Sequence, residues 1–240
     1  MKPYNKANAT KSEEVREMFD NIAPTYDKLN HILSLNIDRL WRRNVVKIAS
    51  KSSPASILDL ATGTGDLAIA LSRKNADAKV VGADPSGGML AVAQRKVEAL
   101  GLSKSIELMQ THAEAMEFDS ERFDVVTVAF GVRNFGDLRG GIKEIMRVLK
   151  PGGKLIVLEF AKCKTPLVAP LYRFYSRHIM PRVGALLSKD KSAYTYLPES
   201  IEEFLAPAEF LALMRECGAV SCYSRSQFFG VAHIYVGEKK

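Results

Sequence analysis

The chain has 240 residues, 47% of them apolar and 25% charged, with a net charge of +7. This is ordinary for a globular protein and enough for one large α/β domain with a sizeable core. No apolar run approaches the ~20 residues that span a bilayer, and Met1-Lys2-Pro3-Tyr4-Asn5-Lys6 lacks the apolar core of a signal peptide. Cys163, Cys217 and Cys222 show no metal-site spacing, and an odd count fits free thiols in a reducing cytoplasm.

Arginines and lysines are spread over most of the chain and are denser at 39–51 and 162–191, without a long basic tract. A solvated surface is the plain reading; contact with an anionic membrane surface is the alternative for 162–191.

In chain order, residues 1–11 read as a polar, frayed tail. Ser12 is placed to cap a helix in which Val15, Met18, Phe19 and Ile22 recur at helical spacing, and Pro24 stops it. A second helical pattern runs from about Ile37 to Ala49 and contains Trp41. Residues 1–50 are read either as a helical cap packed on a sheet or as a lid over a substrate.

From Ser56 strands and helices alternate. Strands are expected at 56–60, 79–84, 105–109, 123–129 and 154–159, with helices at 66–74, 86–100 and 137–149. Such βα repeats with short connections imply a parallel sheet with helices on both faces. Residues 160–200 carry four prolines, many aromatics and many basic residues, and read as an insert that covers the substrate. A helix over 207–217 and two strands, 220–228 and 231–236, close the chain as an antiparallel hairpin at the sheet edge. Residues 51–240 are thus read as the main domain.

The chain is organised around Ile57-Leu58-Asp59-Leu60-Ala61-Thr62-Gly63-Thr64-Gly65-Asp66. A buried strand leads into a glycine turn and the start of a helix, where backbone approaches a ligand closely. Gly63-x-Gly65-x-x-Ala68, with Asp84 further on, also satisfies the dinucleotide fingerprint. Asp59 argues against it, because an acid beside a pyrophosphate repels it and an acid beside an ammonium attracts it. Asp84, at the end of the second strand, suits two ribose hydroxyls.

This set resembles the class I S-adenosylmethionine-dependent methyltransferases. Further stretches sharpen the likeness: Phe19-Asp20-Asn21-Ile22-Ala23-Pro24-Thr25-Tyr26-Asp27, Phe130-Gly131-Val132-Arg133-Asn134-Phe135, Leu158-Glu159-Phe160 and Tyr194-Thr195-Tyr196-Leu197-Pro198-Glu199-Ser200. They resemble the ubiquinone/menaquinone biosynthesis C-methyltransferases, from about Val15 almost to the C-terminus.

The resemblance implies a Rossmann-like fold with a mostly parallel seven-stranded sheet. It also implies S-adenosylmethionine as methyl donor and a polyprenylated quinol as acceptor, most simply demethylmenaquinol, with a ubiquinone precursor as the alternative. Cofactor contacts then fall on Gly63, Thr64, Gly65, Asp84, His112, Ala113 and Ala129, with Asp59 facing the ligand ammonium. The family often has Asn-Ala where this chain has His112-Ala113, and often Ser at 129, so backbone contacts are expected at those positions.

Arg133 and Asn134, just past the fourth strand, are the catalytic candidates. A guanidinium stabilises a developing phenolate, and an amide orients a hydroxyl or a water. The competing reading is a loop held by Arg and Asn hydrogen bonds. Glu114 is a weaker candidate for proton relay, and no metal is required.

An apolar quinol tail has to be collected from a membrane. Leu167, Leu171, Phe174, Tyr175 and Ile179, interleaved with Arg173, Arg177 and Arg182, form a basic amphipathic surface that suits a cytoplasmic protein touching the inner face of its membrane. A core-facing helix with a charged outer side has the same composition. An oxidoreductase or an RNA methyltransferase stands as the alternative function; no concentrated basic stripe favours nucleic acid. The oligomeric state is left open, a homodimer included.

Overall fold

Seven strands form one sheet: β1 (Ser56–Leu60), β2 (Lys79–Asp84), β3 (Ile106–Gln110), β4 (Phe123–Ala129), β5 (Leu149–Phe160), β6 (Ala219–Gln227) and β7 (Ala232–Lys239). Their order is β3-β2-β1-β4-β5-β7-β6; β1 to β5 are parallel, and β7 inserts antiparallel between β5 and β6. The computed structural model describes residues 1–179, 182, 190 and 192–240, with the side chains of Arg177 and Tyr194 outside that set.

The parallel strands are runs such as Val125-Val126-Thr127-Val128, buried on both faces, as expected where helices cover each side of a sheet. The helices are α1 (Lys11–Ile22), α2 (Tyr26–Leu33), α3 (Ile37–Ala49), α4 (Asp66–Lys74), α5 (Gly87–Ala99), α6 (Leu138–Val148), α7 (Val168–Phe174), α8 (Ser192–Glu203) and α9 (Pro207–Glu216). Alternation along the strands decides what packs where. Leu58, Leu60, Val126 and Val128 face α6 and α9, while Ile57 and Val125 face α3 and α4. A third apolar cluster joins Val15, Met18 and Ile22 of α1, Leu29 and Leu33 of α2, Met89 of α5 and Tyr196 of α8. It lies over the carboxyl edge of the sheet, where ligands bind in open α/β folds.

Three local expectations are corrected. Thr10, not Ser12, caps α1: its hydroxyl accepts from the Glu13 amide, and the Glu13 carboxylate accepts from the Thr10 amide in return. As expected, α1 stops at Ile22, just ahead of Pro24; the proline sits in the first turn of a short 3-10 segment, where its missing N–H is no loss, and the chain continues into α2. The tail is not frayed, because the buried Glu14 carboxylate accepts from the Tyr4 and Lys6 amides at 2.6 and 2.7 Å. Finally, β5 starts at Leu149, ahead of the turn at 150–153; a register shift between Phe123 and Val125 absorbs the extra residues.

Candidate active site

Two cavities open at the carboxyl edge and share a wall. The smaller, about 80 Å³, lies over the glycine turn; the larger, about 450 Å³, lies between α1–α3, α7 and α8. Phe19, Tyr26 and Phe130 line both.

The smaller cavity is built by the ends of β1 to β4. Gly63 has φ +57°, and a Cβ there would meet nothing nearer than Tyr26 at 4.0 Å, so a side chain would project into the cavity. Asp84 closes β2 beneath it. Its carboxylate accepts from the Gly63 amide at 2.8 Å and the Ser86 amide at 2.9 Å. Burial pushes its pKa up to about 6, against the pull of those two amides. Each oxygen keeps a lone pair for a further donor.

His112, Ala113, Glu114, Ala129 and Asn134 are also in the lining. Among the described residues the lining holds two acids and no lysine or arginine. A pyrophosphate finds no counter-charge there, whereas a cationic ligand with ribose hydroxyls does. The donor set therefore fits S-adenosylmethionine better than a dinucleotide.

Three expected contacts fall elsewhere. Asp59 does not face the cavity: strand alternation turns it to the α3/α4 side, where its carboxylate accepts from Thr62 Oγ1 at 2.6 Å and Thr127 Oγ1 at 2.7 Å. Burial raises its pKa to about 6, opposed by those hydroxyls. It braces the glycine turn. The Thr64 hydroxyl is turned away and donates to Asp27 of α2. Gly65 packs on α5, where a Cβ would lie 3.1 Å from the Ala93 Cβ. Glu114 lines the cavity but is tied to the loop after β4, accepting from the Gly136 amide at 2.6 Å.

The loop after β4 joins the two cavities. Gly131 must be glycine, since a Cβ would lie 2.5 Å from the Ala61 Cβ in the glycine turn. Beyond it Val132 enters the core, and the next two side chains part: Arg133 lines the larger cavity and Asn134 the smaller. Arg133 Nη1 donates to Glu159 Oε1 at 2.8 Å and to the Phe130 carbonyl at 2.6 Å. Its Nε reaches Ser200 Oγ at 3.3 Å. Nη2 has no protein acceptor among the described residues. Burial pushes the Glu159 carboxyl up, and the Arg133 guanidinium opposes this. Asn134 Oδ1 accepts from the Tyr196 hydroxyl at 2.9 Å, and burial pushes that phenol up to about 12.

Stretches far apart in the chain thus meet here. Glu159, Tyr196 and Ser200 belong to motifs visible in the sequence, yet sequence reasoning gave none of them a role.

The model of the ubiE/COQ5 methyltransferase family matches residues 7–239. The chain belongs to this family. A demethylmenaquinone methyltransferase of Bacteroides fragilis is 41% identical over 239 residues, covering all of this chain and 97% of the relative. A ubiquinone/menaquinone biosynthesis C-methyltransferase of Geobacter sulfurreducens is 44% identical over 230 residues, 95% of this chain and 90% of the relative. The crystal structure of a SAM-dependent methyltransferase from Thermotoga maritima superimposes with TM-score 0.64 at 18% identity, covering 93% of this chain and 99% of that one. A likeness at this identity shows the fold, which is the Rossmann-like methyltransferase fold expected.

In this member of the ubiE/COQ5 family the larger cavity is walled by Trp41, Phe130 and Phe160, whose rings are within 4.5–6.2 Å of one another. Tyr172 and Tyr175 of the 168–179 segment also line it, and the Tyr175 hydroxyl donates to the Leu33 carbonyl at 2.7 Å. Leu167, just ahead of the segment, and Phe174, Ile179 and Arg173 within it are exposed, while Leu171 is both exposed and part of the cavity wall. Tyr175 therefore belongs to the inner face. Arg182 is exposed, and the Arg177 side chain lies outside the described residues. Among the described residues no helix is long and apolar enough to cross a membrane.

Proposed function

We propose that this chain methylates a ring carbon of a polyprenylated quinol with S-adenosylmethionine, demethylmenaquinol first and a ubiquinone precursor second. The supporting observation is the pair of cavities with a common wall: one acid-lined over the glycine turn, one apolar and large enough for a bicyclic ring, with Arg133 and Asn134 at the junction. The names of the relatives point the same way. S-adenosylmethionine supplies an electrophilic methyl group on a sulfonium, and Asp84, Gly63, His112, Ala113 and Ala129 would hold it.

A neutral hydroquinone carbon is a poor nucleophile, so the residues of the chain have to favour loss of a phenolic proton and keep water out. The free Nη2 edge of Arg133 stabilises the developing phenolate. Asn134, fixed by Tyr196, orients a hydroxyl or the water that takes the proton. Phe19, Tyr26 and Phe130 bring the reacting atoms together in a dry passage. Helices α1 and α2 act as a lid over both cavities, and the outward apolar face of the 168–179 segment meets the membrane that holds the substrate.

The experiment is methyl transfer from labelled S-adenosylmethionine to reduced demethylmenaquinone in detergent. Label in the quinone, strongly reduced by Arg133→Ala and, at limiting cofactor, also reduced by Asp84→Ala in folded protein, supports the reading. Cofactor binding without any label in this quinol removes demethylmenaquinol and makes a ubiquinone precursor the next acceptor tried.

A further inference from the structure

Around the mouth of the larger cavity stand apolar side chains that face water. Leu35 is 75% exposed, Leu171 72%, Phe228 49% and Phe229 61%, and all four also line the cavity. They come from three separate places: the tip of the α2–α3 connection, α7, and the tip of the β6–β7 hairpin. Apolar residues scattered singly over a surface need no explanation, but a contiguous rim at one opening does.

The two tips are also strained. Leu35, Asn36, Phe228 and Phe229 have φ between +41° and +61°, a region that glycine occupies freely and that side chains with a Cβ avoid. Hairpin tips normally carry glycine, asparagine or aspartate at such positions, so a Phe-Phe pair held there sacrifices local stability for outward aromatic rings.

Cations flank the rim. On α3, Arg39, Arg43 and Lys47 recur every fourth residue and are exposed, and Asn44 of that helix donates to Gln227 of the hairpin at 2.9 Å. On the other side, Thr165 donates to the Phe229 carbonyl at 2.7 Å, which sets exposed Lys162 and Lys164 beside the same tip, and Arg173 of α7 is exposed as well. None of these six cations has an acidic partner within ion-pair distance among the described residues.

We infer that this rim is a docking surface for an anionic lipid bilayer. Leu35, Phe228 and Phe229 enter the boundary between headgroups and acyl chains. Arg39, Arg43 and Lys47 lie against lipid phosphates, and the cavity mouth opens on the acyl layer. The inference deepens the quinol reading on which it rests, and it adds two loop tips and α3 to the 168–179 segment. The pairing of apolar tips with unpartnered cations is what an interfacial anchor requires.

The test needs no quinol, so it fails or succeeds independently of the acceptor. The full chain is floated with vesicles of phosphatidylglycerol and phosphatidylethanolamine, and separately with vesicles of phosphatidylcholine alone. Binding is expected to the anionic vesicles and to be about tenfold or more weaker to the neutral ones. Phe228→Ser with Phe229→Ser, and separately Arg43→Glu with Lys47→Glu, are each expected to weaken anionic-vesicle binding about tenfold or more, with the wild-type melting temperature kept. Phe229→Trp supplies a second reading that does not depend on a disruptive variant: its emission shifts to the blue when anionic vesicles are added. No binding to anionic vesicles, equal binding to neutral ones, or wild-type binding by both double variants overturns the inference. So does a Phe228/Phe229 variant that merely converts a dimer to a monomer, which would give the rim to a second copy.

Discussion

The sheet with its glycine turn and the segments that cover it follow opposite rules. Between Ser56 and Phe160 local preference and tertiary structure agree. Branched apolar runs form strands, Ser86 and Asp137 cap the helices α5 and α6, and positive φ falls on Gly63, Gly65, Gly101 and Gly152; the exceptions are Glu121 in a turn and Ala61 and Phe130 at the ends of β1 and β4, where the site is built. The covering segments, α1–α3 and the region after Phe160, break those rules more widely. Large apolar groups face water, the left-handed Leu35, Phe228 and Phe229 among them, and a polar network bridges α2 to the glycine turn. Conflicts of this kind concentrate where function is built. On the proposed function, the framework holds the methyl donor at the sheet edge and the cover selects the acceptor.

The largest expected effect lies where the two regions meet. Arg133→Ala removes the guanidinium next to the acceptor cavity and should lower kcat by about 10²–10³. It also leaves Glu159 buried without its partner, which costs about 3–5 kcal/mol of stability, so thermal unfolding has to accompany the kinetics. Glu159→Gln separates the two roles. It keeps the shape, relieves the buried charge and leaves Arg133 less firmly oriented. A Glu159→Gln enzyme with wild-type kcat would reduce Glu159 to a framework residue and move the catalytic boundary back to β4.

Next in size is the cofactor side. Asp84→Ala removes an acceptor for hydroxyl donors and a negative charge, and should raise the Kd for S-adenosylhomocysteine about 10- to 100-fold, the equivalent of one charged hydrogen bond or more. The pH dependence sharpens this. The Asp84 pKa rises from 3.8 to about 6 on folding, so the folded chain takes up this proton first as pH falls. Stability from this group is fully present below about pH 4 and is lost as pH rises through about 6. Ligand binding runs the other way, because it needs the ionised form. The Kd should rise about tenfold for each pH unit below 6, without loss of unliganded stability from Asp84 in that window. Isothermal titration at pH 5 and 7 checks the first statement, and melting without ligand checks the second. Equal affinity at both pH values would mean that Asp84 is not a ligand contact.

The division between framework and cover also explains what was legible. Apart from the start of β5, the strands and helices of the framework were readable within a residue or two, because each local signal agreed with the global one. The glycine turn, Asp84 and the loop at 129–134 could be assigned to one sheet edge from topology alone. Asp59 could not be placed, since alternation says that it opposes Leu58 and Leu60 but not which face the ligand takes. Helix α2 was missed because eight residues make a marginal helix by themselves, and it is held by packing in the third apolar cluster. The bonds from Arg133 to Ser200 and from Asn134 to Tyr196 join positions more than 60 residues apart. No local pattern encodes such a pairing, although both partners stood in motifs that were in view.

The smallest effect expected is the most specific test of the lid. Asp27 of α2 accepts from the Thr64 hydroxyl in the glycine turn and, at 2.8 Å, from Lys96 of α5, which also pairs with Asp66. His31 stands 3.0 Å from Asp38 and 3.7 Å from Asp66, tying α2 to α3 and α4. The cavity beneath holds about 80 Å³, and the α1–α2 cover contributes Ser12, Val15, Phe19 and Tyr26 to its lining. If that cover is a lid, it swings outward when a ligand enters. Asp27→Ala removes the bond that resists this motion, at a cost of about 1 kcal/mol, since the group is partly exposed and its partners reach water once released. Trypsin should then cut within 1–50 several-fold faster, and stopped-flow binding of S-adenosylhomocysteine should speed up by a similar factor. Asp27→Asn, which still accepts from Thr64, should restore part of the protection. If proteolysis accelerates without any change in the association rate, α1 and α2 are a packed cap and the ligand enters by another path.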